Sequence, residues 1–120
     1  MTDNVAGQTA VNSTDQYSGS FAEGKVTFDS TSITAGSYYR VACGFKPRYV
    51  QYVNATDRIT VEWYEGMADD TSIKTAAAGT RTLETTNKGI TVDSLGFRVS
   101  QNATLAAIAA STVGYWVARQ

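Results

Sequence analysis

Histidine is absent from the 120 residues. The commonest general base and the commonest nitrogen ligand for zinc, copper or non-haem iron are therefore missing. No Ser-His-Asp or Cys-His arrangement can be assembled. Cysteine occurs once, at Cys43. A single thiol excludes an intramolecular disulfide framework and fits a reducing cytoplasm at the time of synthesis. No apolar run reaches the ~18 residues a spanning helix needs, so no membrane partner is expected. The first residues also lack the basic and apolar regions of a secretory signal. Charged residues make up only 18%, against about 25% in ordinary soluble domains. Ten basic and eleven acidic residues give a net charge of −1. That leaves no basic excess to neutralise phosphates, so nucleic acid is not an expected partner. Phosphate-loop, dinucleotide and EF-hand patterns are missing too. We expect no cofactor, no metal and no enzymatic activity.

Ser, Thr, Gly, Ala and Asn fill the place of the missing charges. A surface of small uncharged polar groups sheds water more cheaply than one of Lys and Glu, which suits a chain packed against neighbours. The length matches one domain able to bury roughly two-thirds of its unfolded surface.

Residues 1–20 are polar and show no sustained period. Val5, Val11 and Tyr17 are their only sizeable apolar groups. Such a segment reads as an extended N-terminal arm that cannot order itself alone. Strand addition to an exposed sheet edge would satisfy its backbone, with those three residues as anchors.

From residue 21 to residue 120 the text changes to short alternating runs. Val26 and Phe28 share one face, as do Tyr39, Val41, Cys43 and Phe45. Ile59, Val61 and Trp63 oppose Thr60, Glu62 and Tyr64. Tyr49 to Asn54 is apolar on both faces, which suggests a central strand. Further runs fall at 80–85, 89–93, 96–100 and 114–119, divided by Gly, Asn and Asp. Short strands at that spacing predict an all-β domain, an antiparallel β-sandwich or a jelly-roll-like fold. Val41, Phe45, Ile59, Val61, Trp63 and Val117 are the expected core. Residues 103–110 read equally as a short helix capped by Asn102 or as an alanine-rich strand or loop.

Aromatic pairs recur at Tyr38-Tyr39, Trp63-Tyr64 and Tyr115-Trp116. Adjacent strand residues point to opposite faces, so one member of each pair can enter the core while the other faces out. Outward Tyr and Trp suit an interface, although ordinary strand composition explains the pairs as well. Lys46-Pro47-Arg48 forms a basic turn, with Arg40 and Arg58 as potential neighbours. Glu65 to Asp70 is a loop with three carboxylates and an apolar tip, Met67. Its spacing matches no metal or glycosidase pattern, and Met67 reads better as a contact residue. Three Asn-x-Ser/Thr matches, at Asn12, Asn54 and Asn102, are expected by chance in so Ser/Thr-rich a chain. Cys43 shares a face with apolar neighbours and reads as a buried, inert thiol.

Several segments together carry a resemblance. They are Gly44-Phe-Lys-Pro-Arg-Tyr-Val50, Asn54-Ala-Thr-Asp-Arg58, Glu62-Trp-Tyr-Glu-Gly-Met67 and Gly79-Thr-Arg-Thr82. Gly89-Ile-Thr-Val92, Gly96-Phe-Arg-Val99 and Tyr115-Trp-Val-Ala118 follow. The stretch from Gly44 to Gln120 resembles the capsid decoration, or cement, proteins of tailed bacteriophages. The resemblance implies a structural protein on the outer capsid surface of a virion, clamping neighbouring capsomers. Its expected partner is the major capsid protein, and it would act as a homo-oligomer, dimer or trimer. A tail- or fibre-associated domain binding a receptor or glycan is the alternative. An enzyme working with carboxylates alone is a distant third. Candidate interface residues are Val5, Val11, Tyr17, Tyr38, Lys46, Arg48, Tyr64 and Met67.

Overall fold

The computed structural model describes Asp3, Gly7, the backbone of residues 8–14, and residues 21–120. Among the described residues ten strands follow one another: β1 (Gln8–Thr14), β2 (Phe21–Phe28), β3 (Tyr38–Ala42), β4 (Tyr49–Asn54) and β5 (Ile59–Tyr64). Next come β6 (Ser72–Thr75), β7 (Arg81–Glu84), β8 (Ile90–Val92), β9 (Gly96–Ser100) and β10 (Val113–Arg119). They form two antiparallel sheets, a large one in the order β1-β2-β10-β4-β5-β6-β7 and a small one in the order β3-β9-β8. The fold is an antiparallel β-sandwich.

Alternation explains why the sheets face each other. Val26, Phe28, Val50, Tyr52, Val61, Trp63, Trp116 and Ala118 of the large sheet are buried. So are Tyr39, Val41, Phe97 and Val99 of the small one. Ring contacts join the layers edge to face. Tyr39 lies 5.7 Å from Phe28 and 6.0 Å from Tyr52, and Phe97 lies 5.3 Å from Trp116, centroid to centroid. Edge-to-face pairs at these separations add to the area term.

The run at Tyr49–Asn54 is β4, fourth of seven strands and flanked by β10 and β5. Its inner face is buried, whereas Tyr49, Gln51 and Val53 are half-buried on the far side. Two expected core positions differ. Val117 shares its face with Tyr115, while Trp116 and Ala118 point inward. The parity of β10 is set by Trp116, because the larger ring gains more from burial. Ile59 has the expected parity, yet it lies at the strand end and is half-buried.

Residues 103–110 form no helix. Asn102 Oδ1 accepts from the amides of Thr104 (2.9 Å) and Leu105 (3.2 Å), and the Ala106 amide closes one turn on the Asn102 carbonyl. Ala106 then enters the left-handed region at φ 61°, which ends the turn. The cap is real, but Leu105, Ala107 and Ile108 are fully buried, and a loop is what delivers all three to the core.

Gly66 and Gly114 are both required by position. Gly66 takes φ 99° in the turn closed by the Met67 amide on the Tyr64 carbonyl. A Cβ on Gly114 would collide with the Tyr52 ring and hydroxyl, which cross over that bare backbone.

Residues 8–14 pair in full register with β2, from Gln8 opposite Phe28 to Thr14 opposite Ala22. Seven of the twenty residues read as an arm thus form an edge strand, added to the sheet of its own chain. Asp3 makes a parallel bridge to Tyr38 at the open edge of β3.

Candidate interface

Each sheet has an outer face, and the two differ in chemistry. On the small sheet Arg40 lies opposite Arg98 across β3 and β9. Like charges directly opposite destabilise a pair, and Asp93 resolves this by bridging them. One carboxylate oxygen meets Arg40 at 3.1 Å and the other meets Arg98 at 3.2 Å. Burial pushes the Asp93 carboxyl up, but the Leu95 and Gly96 amides and both guanidinium groups outweigh it and hold the pKa below its usual value. Arg98 continues to Asp3 at 2.9 Å. The result is a closed ladder of charges.

The large sheet presents something else. Registers place Lys25, Tyr115, Val53 and Thr60 in one cross-strand row and Glu23, Val117, Gln51, Glu62, Ile73 and Leu83 in the next. Phe21, Arg119, Tyr49 and Tyr64 make the last row. Among the described residues five large hydrophobic side chains are exposed, and four of them, Phe21, Tyr64, Leu83 and Tyr115, stand on this face. The fifth, Leu95, is in the β8–β9 turn.

Glu62 organises one half of the face. Its carboxylate accepts from the Tyr49 hydroxyl (2.8 Å) and the Tyr64 hydroxyl (3.4 Å), and it pairs with Arg81 at 3.1 Å. Burial raises the Tyr49 pKa, helped by its hydrogen bond to Glu62. The Tyr49 and Tyr64 rings pack 5.1 Å apart, and the Arg119 guanidinium lies 4.4 Å over Tyr49. In the other half the Lys25 ammonium lies 5.9 Å over Tyr115.

The candidate residues divide between places. Tyr64 is on this outer face, 44% exposed. Lys46, Arg48 and Met67 come together at an open cleft of about 460 Å³ with Trp63, Glu65 and Asp69. Arg48 pairs there with Glu65 at 3.0 Å, both well exposed. Arg40 and Arg58 do not join them: Arg40 is in the charge ladder, and Arg58 is at the opposite end of β4. Tyr38 is buried, its hydroxyl donating to Asp70 at 3.2 Å, so it offers little surface. Burial raises its pKa, with Asp70 adding to the effect. Asp70 also accepts from Thr91 and Ser100, which makes it a structural carboxylate tying the β5–β6 loop to the small sheet. Val11 lies in β1 opposite Lys25. Val5 and Tyr17 fall outside the described residues.

Cys43 is buried, and desolvation raises its thiol pKa. No cluster of three or more metal-binding side chains occurs among the described residues. Sequence reasoning passed over Phe21, Leu83 and Arg119 as surface groups. Their signal was available only through register, because each gains meaning from its cross-strand neighbours. Compared with protein families, with curated proteins and with solved structures, the chain matches none.

Proposed function

We propose that this chain is a non-catalytic docking module of a virion, which decorates and stabilises an icosahedral phage capsid by binding across neighbouring capsomers. One observation carries the docking reading: among the described residues, four of the five exposed large hydrophobic side chains share the outer face of the large sheet. Exposed apolar groups gathered on one face, among tyrosines and arginines, have the composition of a recognition surface. The capsid setting, with the major capsid protein as partner and a dimer or trimer as the working unit, rests on the sequence resemblance. The rival reading is a tail or fibre domain that binds a glycan. It draws on the exposed Tyr64 and Tyr115 rings, which could stack on sugar faces.

Sedimentation of purified protein with empty phage heads separates the two. Saturable, stoichiometric binding to heads and a rise in their thermal stability support decoration. Binding to host-cell glycans with none to heads would transfer the function to the tail.

A further inference from the structure

The outer face of the large sheet holds two cations, Arg119 and Lys25, that form no ion pair with an acidic side chain among the described residues. Each is instead laid over a tyrosine ring, Arg119 on Tyr49 and Lys25 on Tyr115. Glu62, the nearest organised carboxylate, is already occupied by Arg81 and two tyrosine hydroxyls. Glu23 lies between the two cations in β2 without pairing to either, so the free charge of the patch is about +1 by count.

The arrangement is preorganised. Tyr49 is fixed by its 2.8 Å bond to Glu62 and by its packing on Tyr64. A guanidinium lying on a ring keeps its N–H edge free, and that edge matches a carboxylate in two-point geometry. Rigid placement lowers the entropy lost when a partner binds. Four residues along β10 separate the row of Lys25 from the row of Arg119, so the two rows lie about 13 Å apart along the strand. Val117, Tyr115 and Phe21 supply apolar surface between and beside them.

We infer that this face binds a protein surface bearing carboxylates set among apolar side chains, with Arg119 and Lys25 as the recognition charges. The inference deepens the docking reading by naming the partner's chemistry, and it rests on that reading only for where the partner is found. It differs from the cleft at Lys46 and Arg48, where Glu65 already pairs with Arg48.

The test has two arms. In the first, the isolated chain is titrated with a peptide of alternating Glu and Leu, and with its Gln-Leu analogue, while side-chain NMR signals of arginine and lysine are followed. Selective shifts at Arg119 and Lys25 with the Glu peptide alone are expected. Arg119→Glu should weaken binding about tenfold or more, with Arg58→Gln, a change in the β4–β5 turn, leaving it unaltered. Equal shifts at Lys46, Arg48 and Arg58, or none at Arg119, overturn the inference. In the second arm the same variants are sedimented with empty phage heads at about 0.1 M and about 1 M salt, which shortens the screening length from about 10 to about 3 Å. Salt-sensitive binding lost in Arg119→Glu supports the inference. Wild-type binding that ignores both salt and Arg119→Glu overturns it and leaves decoration standing. Heads that fail to bind the wild type, with the peptide shifts intact, overturn decoration alone. Circular dichroism melts of each variant guard against misfolding.

Discussion

Tyr52 sits at the centre of the sandwich with no exposed surface, and its hydroxyl has no hydrogen-bond partner among the described residues. Leaving a buried hydroxyl unsatisfied costs about 1–3 kcal/mol. The ring itself contributes packing against Tyr39 and covers the bare backbone at Gly114. Tyr52→Phe removes the oxygen and keeps the ring, so the hydroxyl's penalty disappears while the edge-to-face contact survives. We expect a gain of about 1 kcal/mol, the low end of that range, because a small gap is left where the oxygen was. For a domain of this size that corresponds to a rise of roughly 3–6 °C in Tm. Thermal and urea unfolding of the two proteins, with equal slopes in denaturant, measure it. A loss of more than about 1 kcal/mol, the worth of an ordinary net hydrogen bond, would refute the reasoning. Gly114→Ala addresses the same contact from the other side and should destabilise strongly, since Tyr52 cannot withdraw.

Three further outcomes are expected. Tyr39, Tyr49 and Tyr52 all have raised pKa values, with burial the largest cause in each; stability should be full below about pH 10, where unfolded tyrosines keep their protons, and fall as pH climbs through the folded values, about 12 for Tyr39. A flat alkaline stability profile would contradict this. Trp63→Ala should cost about 3–5 kcal/mol and Val117→Ala less than about 1 kcal/mol; equal costs in urea unfolding would mean that the parity of β10 is misread. Deleting residues 1–20 should leave the remaining strands folded by circular dichroism but expose the β2 edge, so that head binding or oligomerisation weakens; unimpaired binding by the truncated chain would remove the N-terminal strand from the docking mechanism.

Much of the sandwich was legible because alternation is a local signal. Strands β2 to β5 and β7 to β10 fall where their alternating runs predict, and Tyr39, Val41, Cys43 and Phe45 are buried as one face. Strand β6 was missed. Ser72-Ile-Lys-Thr75 carries a single apolar residue, and Ile73 faces outward in the row with Glu62 and Leu83. Its identity as a strand comes from pairing on both sides, which no window of four residues contains. The error at Val117 has a related cause. Both parities of β10 offered apolar residues, and what decides between them is the partner across the sheets, Phe97, which packs on Trp116.

The outer face was harder to read, for a reason that follows from the same geometry. A core residue is marked by its own hydrophobicity, but a surface residue such as Arg119 is marked by what stands beside it. Tyr49 and Arg119 are seventy positions apart in the chain and meet only because β4 and β10 are neighbours in register. Tyr64 could be foreseen, since it alternates with a buried tryptophan. Its link through Glu62 to Tyr49 and Arg81 required four strands to be in place. Recognition on such a face therefore depends on register across β2, β10, β4 and β5. A change that slips one strand by a residue would exchange the inner and outer sets and damage the core and the proposed docking face together.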